Sequence, residues 1–210
     1  NPLTSLLGLS EMLQDGEVSE QSRKHLVMMH TQARRATEIV QNLMYFSRPP
    51  VPGKGRVNLS ELVQRTLHLE AYSLRKANIT VDFQPESNLP ALSGDPNQLM
   101  QVFLNLIQNA EQAIREVREK GTIVIRLGRR ERTVWVTFQD DGPGIAPEVL
   151  PIIFDPFYTT KRPGRGTGLG LSICKAIMKE HGGNVEATSL PAGGAIFTVT
   201  LPVDDGGQTS

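Results

Sequence analysis

Residues 101–113 read QVFLNLIQNAEQA. With Leu99 just upstream, Val102, Phe103, Leu106, Ala110 and Ala113 recur at steps of three and four, which gives one apolar face and predicts a helix. Asp95 is placed to cap it, and Pro96 takes the first helical position, where a missing N–H costs nothing. Asn105 and Asn109, one turn apart, share another face with Gln101 and Gln112 beside them. Stacked amides of this kind offer NH₂ groups to phosphate and a carbonyl oxygen to Mg²⁺, and they equally suit a solvated polar face.

Outward from this helix the chain alternates. Upstream, residues 59–76 predict a helix with Leu59, Val63, Thr66 and Leu67 inward, followed by a short strand, ITVDF. Downstream, TIVIRL and TVWVTF alternate and are joined by GRRER, which predicts a hairpin. A helix over about 168–181 ends at Gly182-Gly183, and the strands NVEATS and AIFTVTL follow. The pattern is a mixed sheet with helices on one face, a two-layer α/β sandwich.

Farther upstream, RPPVPGKGR (residues 48–56) holds three prolines and two glycines and reads as a linker. Before it, Gly16 breaks a first helical segment and Ser19 is placed to cap a second. Leu26, Met29, Ala33, Ala36, Val40 and Leu43 form a heptad seam suited to a close-packed hairpin or bundle, to which Leu3, Leu6 and Leu13 add a shorter strip. An ordinary surface helix on a globular core is the alternative. The whole is therefore of the α+β class.

Composition narrows the partners. Lys+Arg and Asp+Glu are equal at 22 in 210 residues, so no charge excess points to nucleic acid. Cys174 is the single cysteine, which excludes a disulfide framework within one chain and fits a reducing, cytoplasmic setting. No apolar run approaches the roughly 20 residues that span a bilayer, so no membrane contact is expected of this segment.

Three further motifs bear on chemistry. DDGPGI (140–145) follows a strand: a carboxylate there suits an exocyclic amine, and Gly142 and Gly144 allow the backbone to approach a flat ring, though a simple turn has the same look. GRGTGLGLSICKAI (164–177) leads four glycines into a helix N-terminus, a site for polyphosphate, yet it is neither a Walker A loop nor a dinucleotide fingerprint. Between them FDPFYTTK (154–161) places an aromatic pair before two hydroxyls and Lys161, and residues 146–166, rich in Pro and Gly, are expected to form a mobile lid.

In order and spacing these motifs resemble the ATP-binding domain of sensor histidine kinases, a Bergerat-type nucleotide fold shared with DNA gyrase and mismatch-repair ATPases, over about residues 55–203. The resemblance implies the following roles. Asn105 and Asn109 match the N box, with Asn109 the Mg²⁺ ligand. Asp140, Gly142 and Gly144 match the G1 box, with Ile145 beside them and Asp140 on the adenine amine. Phe154 and Phe157 match the F box. Thr160 and Lys161 reach the phosphates, and Gly166, Thr167, Gly168, Leu169 and Gly170 form the G2 box over them. FDPFYTTK and NAEQAI look most like the nitrogen-regulatory subtype. Gyrase-like members carry a glutamate base where Asn105 stands, and an amide cannot take up that proton, so this site looks built to hold ATP for another nucleophile.

The resemblance also implies the domain plan: residues 1–48 a dimerisation and histidine-phosphotransfer hairpin, 49–56 a linker, 57–203 the ATP-binding domain and 204–210 a polar tail. Two hairpins would make a four-helix bundle in a homodimer. Asn1-Pro2-Leu3 matches the end of the family's phosphoacceptor motif, which places the acceptor histidine four residues before Asn1. His25, His30, His68 and His181 all lack that context, and each reads as a surface or partly packed histidine. In the resembled family the residue at the position of Asn1 helps orient water for dephosphorylating the partner, a role the resemblance implies for Asn1. The function expected is a protein-histidine kinase core that uses Mg-ATP and passes phosphate to an aspartate on a response-regulator receiver domain. The alternatives are a nucleotide-regulated dimeric scaffold without kinase activity and a gyrase-like ATPase.

Overall fold

In the computed structural model, the residues described are 19–23, 25–29, 33, 36, 55–161 and 167–203. The chain divides into two units, Asn1–Val51 with Thr159–Leu169, and Pro52–Tyr158 with Gly170–Ser210.

In the first unit Ser19 caps a helix as expected: its Oγ accepts the Ser22 N–H at 3.2 Å, and the Arg23 N–H bonds the Ser19 carbonyl at 2.9 Å. The described residues from Glu20 to Ala36 are helical. Of the seam, Leu26, Ala33 and Ala36 are half-buried while Met29 is 58% exposed. Asn1, the Leu3, Leu6 and Leu13 strip, Gly16, Val40, Leu43 and His30 lie outside the described residues.

The second unit runs β1 (Gly55–Val57), α1 (Leu59–Lys76), β2 (Ile79–Pro85), β3 (Leu92–Gly94), α2 (Pro96–Val117), β4 (Gly121–Arg130), β5 (Thr133–Asp140), α3 (Gly170–Glu180), β6 (Asn184–Ser189) and β7 (Ala195–Pro202). Five strands form one sheet in the order β2-β4-β5-β7-β6, with β2 parallel to β4 and every other pair antiparallel. Strict alternation sets its faces: on β5, Val134, Val136, Phe138 and Asp140 are buried and their neighbours half-exposed. All three helices pack on the sheet's apolar side, and Phe103 of α2 meets Phe138 of β5 at a centroid distance of 5.6 Å.

The expected caps form. Asp95 accepts the Asn97 and Gln98 N–H groups at 2.8 and 3.3 Å, with Pro96 at the first helical position. At the end of α3, Gly182 has φ +66° and the Gly183 N–H returns to the Met178 carbonyl at 2.8 Å, so the paired glycines stop the helix in a left-handed turn. The apolar face of α2 is buried as expected except Ala113, which is half-exposed.

Four features differ from the sequence reading. Gly55–Val57 and Leu92–Gly94 pair as a separate two-stranded sheet, so the last residues of the expected linker are already strand. α3 begins at Gly170 and not at 168, because Gly168 takes φ +67°, outside the helical region. The β4–β5 turn is only Glu131-Arg132, with Glu131 at φ +52°. His181 is not a surface residue: it is 5% exposed. Its Nε2 accepts the Asp95 N–H at 3.0 Å, and its Nδ1 lies 2.8 Å from the Ile177 carbonyl oxygen. One ring nitrogen must accept and the other donate, so the ring is the neutral Nδ1–H tautomer and ties the end of α3 to the start of α2.

Candidate functional site

Asp140 ends β5, where the alternation turns its side chain inward, and it is 3% exposed. Its Oδ1 accepts two backbone N–H groups, from Gly142 at 2.9 Å and from Ala195 at 3.3 Å. Among the described residues no protein donor meets Oδ2. Burial pushes the carboxyl above its ordinary value of 3.8; the Gly142 and Ala195 N–H groups and Asp140's own N–H oppose that rise, and Asp141 adds to it. Asp141, next in the chain, is used differently. Its Oδ1 accepts the Thr122 N–H at 3.0 Å and its Oδ2 lies 3.5 Å from Arg118, so it fastens β4 and the end of α2.

The glycines after Asp140 leave no room for side chains. A Cβ on Gly142 would stand 2.8 Å from Asp140 Oδ1 and 3.2 Å from the Cβ of Ala113 on α2. Gly144 has φ +83°, and a Cβ there would stand 2.8 Å from Ser189 Oγ. Ile145, half-buried, gives its N–H to that same Oγ at 2.9 Å.

Along α2, Asn105, Asn109 and Ala113 form one row, each a turn from the next, spanning about 12 Å at ~1.5 Å per residue. Ala113 abuts Gly142 at one end. At the other, Asn105 Nδ2 donates to the Gly170 carbonyl at 3.2 Å and lies 3.7 Å from Cys174 Sγ. Asn109, half-buried, lies between Asn105 and Ala113 in that row. The Asn105 NH₂ is thus turned to the first residue of α3. Cys174 is fully buried, and desolvation pushes its thiol up to about 12, so it is inert packing behind Asn105.

The aromatic pair divides. Phe154 is half-buried, meets Phe197 of β7 edge-on at 6.5 Å, and lies under Lys175 of α3, whose Nζ is 5.8 Å from the ring centre. Phe157 is 74% exposed with φ +66°. Ala146–Tyr158 is a run of turns with a buried anchor, Ile153, which the sequence reading of a lid with little burial did not foresee.

Thr159–Leu169 belongs to the first unit. The Lys161 N–H bonds Thr159 Oγ1 at 3.2 Å, the Leu169 N–H bonds Thr167 Oγ1 at 3.4 Å, and Thr160 is exposed. Gly166 lies outside the described residues.

What the sequence missed is the contribution of the β6–β7 connection, Ser189 and Ala195, to the segment after Asp140. The only local signal was the turn SLPAGGA between two strands.

Comparison with known proteins decides the family. Residues 94–205 match the family described as "Histidine kinase-, DNA gyrase B-, and HSP90-like ATPase", and residues 1–50 match the "His Kinase A (phospho-acceptor) domain". The chain belongs to the sensor histidine kinase family. Among its relatives, the sensor histidine kinase ZraS of Salmonella typhi is 34% identical over 206 residues, 97% of this chain and 43% of that protein. The histidine-protein kinase AtoS of Escherichia coli K12 is 33% identical over 211 residues, 100% of this chain and 34% of AtoS. The chain therefore spans less than half the length of the curated relatives it matches. Among solved structures, a nucleotide-free catalytic domain of the histidine kinase ThkA is 35% identical with a TM-score of 0.64, covering 71% of this chain and 95% of that one. ThkA in complex with the response regulator protein TrrA is 29% identical with a TM-score of 0.72, covering 96% of this chain and 57% of that one. This kinase-family chain has no helix among its described residues that is long and apolar enough to cross a membrane.

Proposed function

We propose that this chain is the ATP-using core of a two-component kinase, in which the second unit binds Mg-ATP through Asp140, Gly142, Gly144, Ile145 and Asn109. The observation that carries the reading is the Asp140 carboxylate. It is 3% exposed, one oxygen is fixed by two backbone N–H groups, and no described donor meets the other. A buried acceptor without a partner is costly unless a ligand supplies the donor, and the exocyclic amine of adenine is such a donor. The glycines of the Asp140–Ile145 segment are required by packing against Asp140, Ala113 and Ser189, and the family resemblance assigns the adenine ring to it.

An amide oxygen from Asn109 fits Mg²⁺, which takes hard oxygen ligands and uses few protein groups when phosphates supply the rest. Bound there, the ion would neutralise phosphate charge. We assign Thr160, Lys161, Gly166, Thr167, Gly168, Leu169 and Gly170 to the phosphate end on the family resemblance, and Asn105 to holding the start of α3. Asn105 supplies no general base, so the γ-phosphoryl is kept for a protein nucleophile. Its bond to the ADP oxygen breaks as a bond to an imidazole nitrogen of the hairpin histidine forms. A second transfer breaks that P–N bond and forms a P–O bond on a receiver-domain aspartate. Residues 1–48 would be the dimerising hairpin, 49–56 its linker, 57–203 the ATP-binding domain and 204–210 a tail, in the cytoplasm, with Asn1 at the phosphatase-water position.

The test supplies labelled ATP and a separate helical segment bearing the family's His-Glu motif. Acid-labile label on that segment, absent from the chain alone, is the expected result. ATP binding with no transfer would leave a nucleotide-regulated scaffold, and phosphate release to water would leave a gyrase-like ATPase.

A further inference from the structure

Ser189 and Ala195 face each other across the β6–β7 pairing. Each reaches the segment that follows Asp140, at opposite ends. The Ala195 N–H donates to Asp140 Oδ1 at 3.3 Å, and Ser189 Oγ accepts the Ile145 N–H at 2.9 Å, from 44 positions away in sequence. The closing residues of one hairpin thus grip both ends of the Asp140–Ile145 turn. The other bond in the turn, Gly142 N–H to Asp140 Oδ1 at 2.9 Å, is local and moves with the carboxylate. Between the grips, Gly144 at φ +83° passes so close to Ser189 Oγ that a Cβ would stand 2.8 Å from it.

We infer that Ser189 is a positioning residue for base recognition, setting where the ring lies against Asp140 and so the preference for an amine over a carbonyl at that edge. The inference rests on the adenine-nucleotide reading above. A carboxylate attracts an amine and repels a carbonyl oxygen, but only if the ring is held in register with it. The Ile145 N–H has no other described acceptor, so removing the hydroxyl unties the far end of the turn and leaves a half-buried donor unpaired.

The full 210-residue chain, wild type, Ser189→Ala and Ser189→Thr, is titrated calorimetrically with ATP and with GTP, and each variant is melted. Ser189→Ala should fold, lose ATP affinity about five- to tenfold, and lose much of its preference for ATP over GTP, while Ser189→Thr, which keeps the hydroxyl, should stay within about twofold of wild type. Unchanged ATP affinity and unchanged preference in folded Ser189→Ala would overturn the inference. So would a lower melting temperature with the preference intact, which is the signature of a merely structural residue. A wild-type chain that binds neither nucleotide would instead overturn the nucleotide reading itself, and this inference with it.

Discussion

Asp140–Ile145 and Ala146–Tyr158 follow one another in the chain and are held in opposite ways. The first is tied to distant strands, by Ala195 on Asp140 and by Ser189 on Ile145, and its glycines have no free space. The second bonds mainly to itself: Val149 and Leu150 to Ala146, Ile152 to Val149, Asp155 to Ile152 and Tyr158 to Asp155. Its described links to the rest are side chains, Ile153 in the core and Phe154 against Phe197 and under Lys175. Opening the first segment means breaking the sheet's own margin, whereas opening the second breaks local turns and two apolar contacts. Under the proposed nucleotide reading that contrast is useful, since base recognition needs fixed geometry and a covering segment needs freedom to admit and release ligand.

The first segment is most sensitive to substitution at Gly194. It has φ +92°, and a Cβ there would overlap the Asp140 carbonyl oxygen, so Gly194→Ala should cost about 3 kcal/mol or more, read by denaturant unfolding.

Asp140→Asn separates recognition from folding. The amide oxygen can keep both backbone bonds, while an NH₂ replaces the oxygen that has no described donor and opposes the adenine amine. ATP affinity should fall about 10- to 100-fold by calorimetry. Stability should move the other way with pH. Burial raises the Asp140 carboxyl in the fold, so its contribution is fully present below the unfolded value and is lost as pH rises through the folded one. The Asn variant lacks that loss, and its melting temperature should gain on wild type from acid to neutral pH. A constant difference across that range would show that the carboxyl is not penalised by its burial.

In the second segment the effects are smaller. Phe154→Ala removes a half-buried ring and its edge contact with Phe197, at about 1–2 kcal/mol. Phe157→Ser, at a 74% exposed position, should stay within about 0.5 kcal/mol of wild type. Hydrogen exchange sharpens the contrast without mutation: the Ile145 amide should exchange more slowly in the empty protein than those of Val149 and Ile152. Equal rates would dissolve it.

Much of this was legible in the residues because the governing forces are local. The stripe of α2, its Asp95-Pro96 start and the Gly182-Gly183 stop of α3 each rest on neighbours within a turn or two, and each is found. The β1–β3 pair was not legible, since three-residue strands are too short for a period to show. Spacing placed Asn105 on one face of α2 with Asn109, but it could not show that its NH₂ meets Gly170. His181 illustrates the same limit: its partner, the Asp95 N–H, is 86 positions away. Within the candidate site, composition and order singled out Asp140 and the glycines as candidates. The long-range bonds that make Asp140 differ from Asp141 appear only in the folded chain.

The central claim is that the Asp140 oxygen without a described donor recognises an exocyclic amine. Titration of the wild-type chain with ATP and with inosine triphosphate tests it most directly, because the two ligands differ only along that edge, an amine beside a bare N1 in ATP and a carbonyl beside an N1–H in inosine triphosphate. ATP should bind at least about tenfold more tightly, the worth of one charge-assisted hydrogen bond. Equal affinities for the two would contradict the account.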